Sequence, residues 1–205
     1  MSQTKDAILL AALRLFARDG YEAVSVSAIA AQIGITKGAL YRHYASKRGI
    51  FDQILARMEQ GDSEQAAACH VPVGAFDTMP EVYRRTGLAD LLRFTEEQFV
   101  YWTQNEFAAC FRRMLTLEQY RSPEMASLYR NYLSGGPLGY VEDLLRTMVE
   151  RGILCGEPQQ LALAFYGPMH LLMSLADTGN PDAARARLHE HLMDFVRVYG
   201  KNETN

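Results

Sequence analysis

Apolar residues recur at three- and four-residue steps along most of this chain. Ile8, Ala11, Ala12, Leu15 and Phe16 make one stripe of an amphipathic helix that Gly20 ends. Ser25 can cap a second helix with the stripe Val26, Ile29, Ala30 and Ile33, which Gly34 ends. Thr36 can cap a third short segment through Tyr44, with Leu40 and Tyr44 on one face, and Ser46 offers the cap of a long fourth helix reaching about Ala68. Isolated helices under about 12 residues are marginal in water. The second and third must therefore pack against the first and fourth as one small domain.

Pro72, Gly74, Pro80 and Gly87 mark Cys69–Gly87 as an irregular connection in which Pro80 can open a short helix. Helical spacing resumes from Leu88 to about Gln119, interruptible at Asn105. It continues from Pro123 to Leu133, from Pro137 to Arg151, from Pro158 to Asp177 and from Pro181 to Tyr199. No alternating strand pattern competes. The expected fold is all-α, with a three-helix domain over 1–47 and a larger helical bundle over 48–205, about nine or ten helices in all. The fourth helix links the two.

Charge divides unevenly along the 205 residues. Residues 1–60 hold 8 Lys and Arg against 5 Asp and Glu, whereas the remainder holds 13 against 19, so the basic end is the small domain. Cys69, Cys110 and Cys155 are odd in number and widely spaced, which suggests neither a disulfide framework nor a metal site and fits a cytoplasmic protein. No apolar run reaches the roughly 18 residues of a membrane span.

The chemistry concentrates in Thr36–Arg48, which carries Lys37, Arg42, Lys47 and Arg48 with His43 and no acid. With Leu40 and Tyr44 turned inward, Lys37, Gly38, Ala39, Tyr41, Arg42 and His43 look outward. A face with a bare centre and cationic or hydroxylated rims suits a major groove, because small residues allow close approach while longer ones reach phosphates and base edges. The preceding helix and the Gly34 turn complete a helix-turn-helix. The stretch SVSAIAAQIGITKGALYRHYASK, Ser25 to Lys47, resembles the DNA-binding domain of the TetR family of repressors.

The resemblance implies that Ser25 and Thr36 touch phosphates, that Lys37, Gly38, Ala39 and Arg42 face base edges, and that Tyr41, His43 and Lys47 clamp phosphates, with Arg48 a weaker addition. Arg48-Gly49 departs from the acidic residues the family often places after the cap. It further implies a homodimer on a pseudo-palindromic duplex operator, through a four-helix interface drawn from the last two helices. Their stripes contain Leu161, Phe165, Pro168 and Leu172, then Leu188, Leu192 and Phe195, and Pro168 should kink its helix.

Nine of the 21 aromatics fall in the 39 residues from 94 to 132. Phe94, Phe99, Trp102, Phe107, Phe111 and Tyr129, with Met114, Met169 and His170, are candidates to line the effector pocket that the resemblance implies, for a small and largely apolar ligand whose binding releases DNA. The competing reading makes them ordinary core. No catalytic or nucleotide-binding motif occurs, and no cofactor or metal is expected. The other alternative is a DNA-anchored helical docking protein without a small-molecule ligand.

Overall fold

A computed structural model describes residues 3–201, and among them the chain forms eleven α-helices, one 3₁₀ turn at Phe76–Thr78 and no strand. The helices are α1 (Gln3–Asp19), α2 (Val26–Gln32), α3 (Lys37–Tyr41), α4 (Lys47–Ala68), α5 (Pro80–Arg85), α6 (Leu88–Gln104), α7 (Glu106–Glu118), α8 (Pro123–Leu133), α9 (Gly135–Glu150), α10 (Pro158–Thr178) and α11 (Pro181–Tyr199). Both optional features of the sequence are present. Pro80 opens α5, and Asn105 separates α6 from α7 because its side chain turns back to accept the Ala108 N–H at 3.1 Å.

The chain divides into two compact units, Met1–Gly61 with Asn105–Tyr129, and Asp62–Gln104 with Arg130–Asn205. In the first, α1 packs against α7 and α2, and α2 against α3. Its interior is made of fully buried Ile8, Leu9, Ala12, Leu13, Phe16, Ile29, Leu40, Ile50 and Phe51, together with Phe111 and Met114. Truncating a side chain such as Phe16 to alanine should cost about 3 to 5 kcal/mol.

In the second unit α10 packs against α9 and α11, α6 packs against both α10 and α11, and α5 covers α9. Tyrosine hydroxyls hold the irregular connection in place. Tyr83 donates to the Gly74 carbonyl at 2.9 Å and Tyr140 to the Pro72 carbonyl at 3.0 Å. An isolated bridge between Leu154 and Gly200 ties the end of α11 to the turn after α9. Helix α10 continues through Pro168. No helix among the described residues is long and apolar enough to cross a membrane.

Of the residues expected at the dimer interface, Leu161, Phe165, Leu172, Leu188, Leu192 and Phe195 are buried within a single chain, and Pro168 is half-buried. The Phe165 and Phe195 rings meet edge to face at 5.0 Å between centroids, where α10 packs on α11. The apolar row that α10 leaves outward is Leu163, Leu171 and Leu175, eight and four residues apart, and α11 adds Met193 and Val198.

Candidate nucleic-acid interface

Two side-chain caps and one glycine shape the segment from Ser25 to Tyr44. The Ser25 hydroxyl oxygen accepts the Ala28 N–H at 3.1 Å and opens α2, and the Thr36 hydroxyl oxygen accepts the Ala39 N–H at 3.1 Å and opens α3. Between them Gly34 has φ +69°, the Gly34 N–H bonds to the Ala31 carbonyl and the Ile35 N–H reaches back to Ala30. This pair of bonds is the Schellman closure that a left-handed residue permits. Gly34 therefore sets the sharp turn between the two helices.

Helix α3 is shorter than its periodicity suggests and ends at Tyr41. The His43 and Tyr44 N–H groups converge on one carbonyl, that of Leu40, while the Arg42 N–H reaches only to Ala39, so the last turn tightens. Leu40 and Tyr44 are buried nonetheless, which fixes the opposite face toward solvent. On that face Lys37, Gly38, Tyr41 and Arg42 are exposed, and Ala39 and His43 are half-buried. A β-carbon added at Gly38 would meet nothing within 4 Å. The Lys37 ammonium lies 5.8 Å from the Tyr41 ring centroid.

The remaining two cations of the segment are engaged within the protein. Lys47 Nζ donates to the Tyr21 carbonyl at 2.8 Å and the Glu22 carbonyl at 3.3 Å, and stands 4.3 Å from the Tyr21 ring centroid. Arg48 bonds Asp52 at 2.7 Å and Glu124 at 2.8 Å, and these carboxylates hold its guanidinium above the ordinary arginine range. Ser46 caps α4 by accepting the Gly49 N–H at 2.9 Å, without an acid in the first turn.

The nine expected pocket residues do not share one unit. Phe94, Phe99, Trp102, Met169 and His170 belong to the second, whereas Phe107, Phe111, Met114 and Tyr129 belong to the first, where α7 packs on α1 and the Arg57 guanidinium covers the Phe107 ring at 4.3 Å. Gln98 and Glu118 are among the buried polar side chains that escaped the sequence reading. Gln98 follows Leu91 by seven residues on the inward stripe of α6, and Glu118 follows Phe111 by seven on that of α7. A polar residue in register with an apolar stripe was the available signal in both cases.

The family of bacterial regulatory proteins named for tetR matches residues 8–54, a segment that contains all nine expected DNA contacts. The transcriptional repressor BepR of Brucella suis is 39% identical over 56 residues, 27% of each chain. The fold recurs in SmeT, the repressor of the Stenotrophomonas maltophilia multidrug efflux pump SmeDEF, at TM-score 0.65 and 20% identity over 98% of this chain and 93% of that one. A transcriptional regulator from Saccharomonospora viridis, in complex with choline, superposes at TM-score 0.67 and 20% identity over 98% of this chain and 100% of its own. Residues 8–54 carry the DNA-binding segment of the TetR family.

The sequence matches to curated relatives span only 17% to 29% of those relatives' length. Over the whole chain, the likeness to solved structures is a likeness of fold.

Proposed function

We propose that this protein is a transcriptional repressor of the TetR type that binds a pseudo-palindromic duplex as a homodimer and is released by a small, largely apolar ligand. The observation that carries the reading is the outward face of α3, where exposed Lys37 and Arg42 flank the bare Gly38-Ala39 centre in a segment without a single acid. Arg42 and Lys37 are suited to base edges, and Tyr41 and His43 to the flanking phosphates. Ser25 and Thr36 use oxygen lone pairs for their caps, so each hydroxyl hydrogen remains to donate to a phosphate.

One recognition helix per protomer calls for two half-sites and a two-fold partner. The outward row Leu163, Leu171 and Leu175 supplies the apolar patch for that partner, with Leu171 60% exposed in the single chain. For the ligand, the support lies inside the second unit. Its core includes the aromatic and thioether side chains of Phe99, Trp102, Phe165 and Met169. A regulator of the same fold is solved in complex with choline.

Binding of a fluorescent duplex at several salt concentrations tests the central reading. Two outward cations per protomer, each displacing about one condensed counterion as it enters the groove, give a dimer a log–log slope near −3.6, or an affinity loss of roughly 10²-fold between 50 and 200 mM salt. A salt-insensitive complex would refute it. Titration of compounds against Trp102 fluorescence, paired with duplex binding, tests release. A ligand that binds the second unit and leaves duplex affinity unchanged contradicts the switch.

A further inference from the structure

We propose that Gln65 and Gln98 form the polar end of the ligand site in the second unit, and that they select an apolar molecule carrying a hydroxyl or N–H donor. The inference rests on the ligand-release reading above and names the chemistry of that ligand. Both glutamines belong to the second unit. Gln98 is 8% exposed, on the inward stripe of α6 with Leu91, Thr95 and Trp102, and its amide makes no hydrogen bond among the described residues. Gln65 is half-buried on α4, and its amide oxygen Oε1 is shut off from solvent without a partner.

Contacts between α4 and α6 set the two amides on facing surfaces. Phe94 of α6 packs against Ala66, Cys69 and Val71 at the end of α4. Arg93 donates to the Cys69 carbonyl at 2.9 Å and meets His70 Nδ1 at 3.3 Å, and the Cys69 thiol donates to Glu97 Oε2 at 2.9 Å. The contacts advance along α6 as they step back along α4, so the two helices run antiparallel. Residues four apart on a helix share a face. Gln98 follows Phe94 by four and Gln65 precedes Cys69 by four, so each amide stands one turn further along the face that its helix turns to the other.

Folding alone does not account for the pair. A buried amide without a partner has lost its water and gained no bond in return, and most buried polar groups in proteins are paired. The other buried polar side chains of this unit, among the described residues, are threonines that satisfy themselves locally. Thr86 donates to the Val82 carbonyl, Thr95 to that of Leu91 and Thr147 to that of Leu144. Gln65 Oε1 needs a donor, and Gln98 offers both an acceptor and two donors. A ligand hydroxyl answers both glutamines, giving its hydrogen to Gln65 and accepting one from the Gln98 amide. Phe99 and Trp102, buried beside Gln98 on the same helix, are apolar surface for the rest of the molecule.

The test uses the full chain and paired compounds: phenols, benzylic alcohols and anilides, each beside its O- or N-methylated counterpart. Thymol and thymol methyl ether are one such pair. Calorimetry and Trp102 fluorescence report binding, and a duplex selected from a random pool reports release. Donor-bearing members should bind about tenfold or more tightly than the methylated ones, because a site built around a hydrogen bond rejects the analogue that lacks it. In Gln98→Met and in Gln65→Met the two members of a pair should bind within about twofold of each other. With no ligand added, Gln98→Met removes an unpaired amide at nearly constant shape and should raise the melting temperature by about 2 °C or more.

Equal binding of both members of the pairs, with release of the duplex intact, overturns the inference and leaves the ligand-release reading standing. Discrimination that survives in both variants also overturns it, as does a Gln98→Met chain that melts lower, since the amide then serves the fold. Binding by no member of any pair would count against the ligand-release reading together with this one.

Discussion

Gly38 separates what the protein needs from what DNA needs. It occupies the second position of α3, is exposed, and has open space where a β-carbon would stand. Replacing it therefore meets no steric cost in the free protein. Alanine or leucine should raise helix stability by up to about 1 kcal/mol, and by less in so short a helix. Against DNA the sign reverses. A helix fills most of a major groove about 12 Å wide, so a leucine side chain at the centre of the contacting face keeps α3 from seating. Losing one bidentate base contact per protomer costs about 1 to 3 kcal/mol each, or roughly 30-fold to 10⁴-fold for a dimer. Thermal melting and fluorescence anisotropy on the same samples give the two signs separately. Gly38→Leu should melt no lower than the unaltered chain and bind its selected duplex far more weakly, with Gly38→Ala between them. A Gly38→Leu protein that binds as tightly as the unaltered one would show that this face of α3 does not enter the groove.

Leu171→Glu, placed on the outward row of α10, should shift the protein toward monomer in light scattering; an unchanged dimer moves the interface elsewhere. Leu192→Ala removes fully buried surface and should cost about 2 to 5 kcal/mol in urea unfolding, which a value under 1 kcal/mol would contradict. Thiol labelling of the native protein should modify Cys155, which is exposed, well before Cys110 and Cys69, which are buried. Burial, aided by the neighbouring Glu97, pushes the Cys69 thiol up to about 11, so its thiolate is scarce at neutral pH, and early modification of Cys69 would oppose the structure. His70 holds φ +59° just after α4, a position that favours glycine, and His70→Gly should stabilise the fold by up to about 1 kcal/mol, partly offset by the lost contact with Arg93 at 3.3 Å.

Local chemistry was the legible part. Ser25, Thr36, Ser46, Gly34, Pro158 and Pro181 act on their own neighbours within a few residues, and helix starts and stops follow from them. The outward face of α3 was legible for the same reason, since burial of Leu40 and Tyr44 alone settles it. What eluded periodicity was which surface each stripe meets. The stripes of α10 and α11 satisfy one another inside one chain, and a stripe looks the same whether its partner belongs to the same copy or another. Aromatics in the run from Phe94 to Tyr132 divide between two units because Asn105 breaks the helix there. Lys47 reads as one more cation until the carbonyl of Tyr21, 26 residues earlier, is brought beneath it.

Selection of duplexes from a random pool by the purified chain, followed by sequencing of the survivors, tests the central claim most directly. The account predicts enrichment of an inverted repeat, two equivalent half-sites related by a two-fold axis, with Gly38→Leu abolishing the enrichment. A pool that emerges unenriched, or enriched only in sequences without two-fold symmetry, would contradict it.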